Sequence, residues 1–222
     1  ATSAARSALF GRASKEIYMA AKQGVPDPNS NLALRAAIDK FRSLNVTKEV
    51  INRAIEKAKG GQQESYVEGR YEGFTQGNAY IIIDTLTDNP NRAFGEVRTA
   101  VTKKGGHLGT PGSVSFNFTS AGVIEFEGTN RDEVEENLIM SDVDVNSVEL
   151  DEDTIVVNVE PSALNAAKEC LNEMGIDEFL TCEVTLVPND YVTLEGEDKE
   201  KFEMLLDVLE EITMKVSLID EE

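Results

Sequence analysis

The sequence predicts an α+β protein of three domains: an N-terminal three-helix bundle and two ferredoxin-like β-α-β-β-α-β domains, the third inserted into the second. Apolar residues recur at helical spacing through the first sixty residues, and short β-branched runs then alternate with helical segments. One complete β-α-β-β-α-β series fits within residues 122–187, whereas the series before it lacks its last helix and strand, which follow after residue 190. The expected domains are 1–61, then 66–118 together with 190–222, and 119–189.

Three helices with one shared apolar face are predicted for the first domain, since each apolar stripe is bounded by capping residues or glycines. Their expected bounds are 3–23, from Ser30 or Asn31 to Leu44, and from Thr47 to Gly60-Gly61. The short turn 44–46 admits a helix-turn-helix, in which Lys48, Asn52 and Arg53 would face a major groove. A solvated helix pair is favoured instead, because the turn lacks Gly and neither helix has a markedly basic face.

The second domain is expected to open with a strand and turn in Gln62–Gln76, followed by a β-α-β unit. Asn91 is expected to cap a helix whose Phe94, Val97 and Val101 lie inward. Alternating Val114 and Phe116 predict a half-buried strand. The expected elements are strand 79–87, helix 91–104, a strand near 106–110 paired with strand 113–118, helix 197–211 and strand 213–219.

The third domain shows a clear change of period at Gly122, where an alternating strand begins. A hairpin turn is expected at Asp151–Asp153, Pro161 suits the first turn of a helix, and Gly175 suits its end. The expected elements are a strand from Gly122, helix 131–141, strands 143–150 and 154–159, helix 162–174 and strand 181–187.

Charge is distributed very unevenly along the 222 residues, whose formal net charge is −20. Residues 1–60 hold 11 Lys+Arg against 5 Asp+Glu, a net +6, whereas residues 119–222 hold 5 against 30, a net −25. Residues 61–118 hold 5 against 6. A phosphate polymer would be attracted to the first segment and repelled by the last, so a one-sided and salt-sensitive contact is expected.

Several classes of function find no support in the sequence. No apolar run has the length of a membrane helix and no signal-peptide pattern opens the chain, which predicts a soluble, cytoplasmic protein. Cys170 and Cys182 are expected to be buried, inert thiols. The sole histidine, His107, has no partner for a zinc site or a catalytic base, and Asp142–Asp153 fits a strand better than a calcium loop. With no catalytic motif present, no enzyme, metal or cofactor is expected.

A nucleic-acid contact is the function that the basic residues indicate. The glycine-rich loop 105–113 could present backbone amides to a phosphate, although tight turns explain its glycines better. Tyr66, Tyr71 and Phe74 could stack on bases but are expected to cover a sheet instead. The candidate nucleic-acid-binding residues are Arg6, Arg12, Lys15, Lys22, Arg35, Lys48, Arg53, Arg92, Arg98, Lys103, Lys104 and His107.

The sequence closely resembles the YebC/PmpR family of bacteria, especially its YeeN-like branch, and the related mitochondrial translational activators of cytochrome oxidase. The likeness rests on LTDNPNR (Leu86 to Arg92) followed by KKGGHLGTPGSVSFNF (Lys103 to Phe118), and on AAKQGVPDPNSN, AIEKAKGG and RYEGF before them. It covers nearly the whole chain and implies the same three-domain plan. Members usually open with a basic, tryptophan-containing leader such as GHSKWANIKH. The opening ATSAARSALFGR therefore suggests either a stretch of a longer chain or an absent leader.

The resemblance implies a non-enzymatic regulator of gene expression, described in the family as a probable transcriptional regulator that binds DNA. The alternative is a ribosome-associated translation factor that contacts RNA, as the mitochondrial relatives suggest. The basic first segment is compatible with both, because attraction to phosphate does not depend on the nucleic acid. A pure protein–protein adaptor also remains open.

Overall fold

The structure is a computed structural model that describes residues 3–60, 66–212 and 215–218. It contains an N-terminal helical region and two four-stranded antiparallel sheets, so the predicted α+β fold class is confirmed. Among the described residues no helix is both long and apolar enough to cross a bilayer. The chain divides into two compact units, described separately below: a first unit of residues 1–34, 49–119 and 187–222, and a second unit of residues 35–48 and 120–186.

All three helices of the N-terminal region form where apolar periodicity predicted them. Ala13, Ile17 and Ala21 of the first helix are buried, as its helical spacing indicated, and so is the unpredicted Tyr18. The helices are α1 (Ser3–Gln23), α2 (Leu32–Ser43) and α3 (Lys48–Lys59).

Asn31 is the cap of α2, one of the two residues that the sequence offered for this role. Its Oδ1 accepts a hydrogen bond from the backbone N–H of Leu34 at 3.0 Å, which satisfies one free donor of the first helical turn. Its Nδ2 donates to the carbonyls of Ala20 and Val25 at 2.8 and 3.0 Å. One side chain thus starts α2 and ties its first residues to the end of α1.

The sheet of the first unit combines strands from distant parts of the chain, in the spatial order His107–Leu108, Val67–Phe74, Tyr80–Thr87 and Lys215–Leu218. Its core consists of Ile81 and Ile83 from the sheet, with Val97 and Val101 from one helix and further leucines from another. The elements are β1 (Val67–Phe74), β2 (Tyr80–Thr87), α4 (Pro90–Lys103), β3 (His107–Leu108), α7 (Gly196–Ile212) and β8 (Lys215–Leu218).

The strands of this sheet follow a different order along the chain from the predicted one. β1 pairs with β2 along its whole length and with β3 through Gly73 and Phe74, so it takes the place expected for strand 113–118. That strand prediction is wrong: residues Ser115–Asn117 form a 3₁₀ turn, and Phe118 opens a strand of the other sheet. This loop does not pair with β3 because its amides donate hydrogen bonds to the carboxylate of Glu72 in β1.

The start of α4 also differs from the prediction. Pro90 is its first residue and Asn89 its cap, since Asn89 Oδ1 accepts the N–H of Arg92 at 3.0 Å; the expected cap, Asn91, lies inside the helix. Pro at this position loses no hydrogen bond and has a φ suited to a helix. Phe94 is not fully inward: it is 42% exposed and packs against Tyr71, with ring centroids 5.6 Å apart.

The sheet of the second unit has the ferredoxin-like arrangement, with the strands in the spatial order Val145–Asp151, Thr154–Val159, Phe118–Glu127 and Thr181–Pro188. Ile124, Phe126, Ile155 and Val157 from its strands are almost completely buried against its two helices. The elements are β4 (Phe118–Glu127), α5 (Arg131–Met140), β5 (Val145–Asp151), β6 (Thr154–Val159), α6 (Leu164–Glu173) and β7 (Thr181–Pro188). A 3₁₀ turn, Pro161–Ala163, precedes α6, which therefore starts slightly later than predicted.

The chain returns to the first sheet at its end. α7 forms as predicted, with Phe202, Leu205 and Leu209 buried. β8 pairs antiparallel with β2, from Ile81 opposite Leu218 to Asp84 opposite Lys215. The outer residues of the predicted strand 213–219, and residues 62–65 of the predicted strand and turn before β2, lie outside the described residues.

Candidate nucleic-acid interface

Lys15 and Arg92, two predicted contact residues, come together in the first unit although they are far apart in sequence. Lys15 Nζ lies 3.2 Å from the carbonyl oxygen of Leu86 and 5.7 Å from the centre of the Tyr66 ring. Burial lowers the pKa of the Lys15 amine; Asp88 opposes this shift and the positive charge of Arg92 adds to it. Charged side chains of α1 and α4 thus lie near one another at the end of β2.

Arg92 is held at the start of α4 but stays accessible. Its Nη2 lies 3.1 Å from Asp88 Oδ1, and both side chains are more than half exposed. Exposed ion pairs contribute only about 0–1 kcal/mol, so a phosphate could displace this carboxylate at little cost. Asp88 reduces the local positive charge without blocking the guanidinium.

A shallow groove of about 620 Å³ runs beside α4 and contains three of the predicted cations. Arg92 lies near one end of the helix, and Lys103 and Lys104 near the other. At 1.5 Å per residue the two ends are roughly 17 Å apart. Val208 and Ile212 of α7 supply apolar lining, and Glu96 adds one negative charge within the groove. The groove thus joins an apolar surface to predominantly basic ends.

Glu72 is the residue of this region that sequence reasoning missed. It lies in β1, is only 6% exposed, and its carboxylate accepts the backbone N–H groups of Gly112, Val114 and Ser115, the last two at 3.1 and 2.7 Å. Burial alone would raise the pKa of Glu72, but these hydrogen bonds outweigh it and the pKa is lowered. In the sequence, the only indication of this role is that RYEGF places one Glu between an aromatic residue and a glycine.

The amides of the glycine-rich loop therefore already bind an anion that belongs to the protein itself. Gly109 N–H also donates, at 2.8 Å, to the main-chain carbonyl of Glu72. A Cβ added to Gly109 would lie 2.5 Å from Ser113 Oγ and 3.1 Å from Phe74 Cε2, so a larger residue at this position would force these side chains to shift. A phosphate nest formed by Gly112, Val114 and Ser115 is excluded while the Glu72 carboxylate occupies those donors.

His107 lies at the start of this loop with its ring exposed on one side. The imidazole stacks on Phe74 with ring centroids 4.9 Å apart and an interplanar angle of 22°. Just before it, Gly105 has a φ of +83°, and the side-chain amide of Gln76 donates to the carbonyl of Lys104. The geometry thus fixes the path of the chain from Lys104 to His107.

Each aromatic residue considered as a base platform packs against another aromatic ring of the fold. Tyr66 meets Tyr18 edge to face at 5.7 Å, and Phe74 meets Tyr80 edge to face at 5.3 Å. Tyr71 packs against Phe94. Their faces are therefore at least partly used within the fold.

The remaining predicted cations of the first unit lie on α1, α3 and α4. Lys22 Nζ approaches the carbonyl of Ala58 at 3.4 Å, near the end of α3, where a cation suits the helix dipole. The Arg6 guanidinium lies 5.3 Å from the centre of the Phe10 ring. Arg12 is half-buried, whereas Arg53 and Arg98 are exposed.

Arg35 and Lys48 belong to the second unit, so they are not part of the group described above. Both are exposed. In the turn between their helices Asn45 has a φ of +62°, and Val46 N–H donates to the carbonyl of Phe41 at 2.9 Å. Lys48, Asn52 and Arg53 are exposed, as a helix-turn-helix would require, but Glu49 and Glu56 are exposed on the same helix. The helix-turn-helix stays a hypothesis.

Both cysteines are free and buried, as predicted. Burial raises the pKa of the Cys182 thiol, which keeps it protonated and unreactive. Within residues 3–60, 66–212 and 215–218, no cluster of three or more His, Cys, Asp or Glu side chains has an arrangement that could hold a metal ion.

Comparisons with known proteins match the whole architecture. Residues 1–61 match the family model "TACO1/YebC protein N-terminal domain", and residues 66–214 match "TACO1/YebC second and third domain". The chain is 49% identical over 213 residues to the "Probable transcriptional regulatory protein Mfl546" of Mesoplasma florum, covering 95% of this chain and 89% of that protein.

A solved structure is also similar over nearly the full length. The crystal structure of the conserved hypothetical protein Aq1575 from Aquifex aeolicus aligns with a TM-score of 0.83 and 32% identity, covering 97% of this chain and 90% of that one. The two family models together account for both units and for the N-terminal helices. The chain belongs to the TACO1/YebC family.

Proposed function

We propose that this protein is a non-enzymatic regulator of gene expression that acts in the cytoplasm and binds DNA through basic residues of its first unit. The proposal makes Lys15, Arg92, Lys103 and Lys104 the centre of the contact, with Arg6, Arg12, Lys22, Arg53, Arg98 and His107 as further cations of the same unit. Arg35 and Lys48 lie in the second unit, and the proposal does not make them part of this contact. A relative named a probable transcriptional regulatory protein supports the regulatory role.

The observation that carries this proposal is the grouping of cations around α4. Arg92, Lys103 and Lys104 line one groove. Lys15, on a different helix, lies near enough to Arg92 for the positive charge of Arg92 to help lower the Lys15 pKa. Residues 119–222 carry a net −25, and the acidic helix α7 of this segment lies in the first unit with the cations. A polyanion would therefore be attracted to the cations and repelled by the acidic residues, so its binding would be largely electrostatic and sensitive to salt.

A second candidate is a ribosome-associated translation factor. The same uneven charge favours it, because an acidic body could face basic ribosomal proteins while the cations contact RNA. Sedimentation of tagged protein through a gradient of cell lysate separates the two candidates. Cosedimentation with ribosomal particles supports the translation role, whereas a profile confined to the free fractions rejects it.

Replacing Lys103 and Lys104 together by Ala tests the contact directly. Titration of a labelled DNA duplex at several salt concentrations should show weaker binding and a smaller salt dependence. Because each phosphate contact contributes about 0.9 to the slope of log K against log salt, the slope should fall by roughly two.

The matched control is the double variant Lys199→Ala with Lys201→Ala, which removes the same charge from α7. Both lysines lie in the first half of α7, away from Val208 and Ile212 at the groove, and Lys201 forms an ion pair with Glu197 at 2.8 Å. Its slope should match that of the parent protein. Equal losses in both double variants would show a nonspecific charge effect. Failure of the parent to bind DNA at low salt, either as the duplex or as its separate strands, would end the proposal.

A further inference from the structure

Phe116 is an exposed aromatic side chain on a segment whose backbone is fixed on both sides. It is 69% exposed, although apolar alternation predicted it to be half-buried. Ser115 N–H donates to Glu72 at 2.7 Å on one side of it. On the other side Asn117 donates to the carbonyl of Val114 at 3.0 Å and accepts from Asn189 N–H at 2.7 Å. The phenyl ring is thus exposed to solvent on a backbone segment that hydrogen bonds hold in place.

The loop that leads to Phe116 has little freedom to rearrange and bury this ring. The Glu72 carboxylate holds three of its amides, and Gly109 donates to the Glu72 carbonyl. A Cβ at Gly106 would lie 2.4 Å from the carbonyl oxygen of Phe74, which shows how closely the loop follows β1. The exposure of Phe116 is therefore a consequence of the fold's own hydrogen bonds.

Cations lie at the other end of the same loop. His107 pairs with Phe74 and Gly109 bonds to Glu72, while Ser115 returns to the Glu72 side chain, so both ends of the loop are anchored on residues 72–74 of β1. Strand residues are about 3.3 Å apart, which places these anchors within roughly 7 Å of one another. Phe116 follows the second of these anchors, and Lys103 and Lys104 come just before the first.

We propose that Phe116 stacks on an unpaired base of a single-stranded nucleic acid whose phosphates bind Lys103 and Lys104. This inference rests on the proposed nucleic-acid function and specifies the form of the ligand. Aromatic side chains stack on any exposed base face, and a positively charged groove follows the backbone of a single strand. A duplex hides its base faces, and an acidic peptide offers charge without a ring to stack, so a single strand matches both features of the surface.

The chain contains no tryptophan, which allows a direct test. The variant Phe116→Trp carries a single tryptophan at the proposed stacking position, which is excited at a wavelength that tyrosine does not absorb. The full chain is titrated with single-stranded RNA, single-stranded DNA and a duplex of the same sequence. Base stacking should quench the Trp emission strongly with the single strands and little with the duplex. The control Met140→Trp, at a site 84% exposed in the second unit, should show no quenching.

A second pair of variants measures the affinity. Phe116→Ala should weaken single-strand binding about tenfold with an unchanged salt slope, because no ion pair is removed, whereas Phe116→Tyr should retain parent affinity. Since the side chain is largely exposed, the melting temperature of both variants should stay within about 2 °C of the parent.

The outcomes separate this inference from the proposed function. Binding of a labelled strand with unchanged Trp emission at position 116, or equal quenching by polyglutamate, overturns base stacking and leaves the proposed function intact. Failure of the parent chain to bind any of the three nucleic acids removes both. Quenching by RNA but not by DNA, or the reverse, supports the inference and identifies the sugar that is recognised.

Discussion

Glu72 is a buried carboxylate whose partners in the fold are backbone amides of a loop forty residues further along the chain. Hydrogen bonds to a charged acceptor each contribute about 1.5–3 kcal/mol, so one side chain can determine the conformation of the whole segment around Gly112–Ser115. It also explains why Phe116 is exposed. The position of a candidate binding residue thus depends on an acid that would not itself touch the ligand.

Replacing Glu72 by Gln tests this role. Gln has nearly the same shape but replaces one carboxylate oxygen by a donor, so the free energy of unfolding at neutral pH should fall by about 2 kcal/mol. Chemical denaturation of the variant and the parent measures the difference. The control Glu68→Gln, at an exposed position of the same strand, should change stability by less than about 0.5 kcal/mol.

The pH dependence of the Glu72 contribution has a definite sign. The pKa of Glu72 is lowered in the folded protein, so its contribution is complete above the unfolded-state pKa of about 4.3 and is lost as the pH falls through the folded-state value. The stability difference between the parent and Glu72→Gln should therefore be largest near neutral pH and shrink below about pH 4. A constant difference from pH 7 to pH 3 would contradict the proposed carboxylate–amide bonds.

At the level of elements, helices were predictable because their signals are local. Apolar spacing and stop residues gave α1 and α7 to within about a residue at each end. Strand 113–118 was not predictable, because the alternation of Val114 and Phe116 suits a strand until Glu72 competes for the backbone amides. The basic side chains of the candidate site were evident from their type, but the grouping of Lys15 with Arg92 depends on tertiary contacts that no local pattern encodes.

The two candidate caps of α4, Asn89 and Asn91, can be compared directly by substitution. Asn89 caps the helix through Arg92 N–H, whereas Asn91 is exposed within the first turn. Asn89→Ala should therefore lower the free energy of unfolding by about 1 kcal/mol, and Asn91→Ala should lower it much less. Urea denaturation of the two variants decides between the caps. A larger loss for Asn91→Ala would favour the cap expected from sequence alone.

Across the whole molecule, the two sheets are built from different parts of the sequence, and most of the candidate contact residues belong to the unit that contains the first sheet. The first sheet takes its strands from residues 67–108 and 215–218, while the second sheet uses residues 118–188. The candidate cations around α4 and the exposed Phe116 all lie in the first unit, and most of the acidic residues lie after residue 119. Insertion of the second sheet's residues between strands of the first therefore leaves most of the candidate contact residues on a unit assembled from both ends of the chain, whereas Arg35 and Lys48 lie in the second unit.

The discontinuous first sheet makes a final prediction. Ending the chain after Ile212 removes β8, so β2 loses its neighbour along Ile81–Asp84 and becomes an edge strand. Backbone amides of β2 that face β8 should then exchange hydrogen faster, because they lose their hydrogen-bond acceptors. Amides of β4–β7 should keep their protection from exchange, because every strand of that sheet lies between residues 118 and 188. A chain ending at Leu218 is the control and should exchange as the parent does. Equal loss of protection in both sheets would show that the two units open together, and unchanged exchange in β2 would show that β8 adds nothing to the stability of the first sheet.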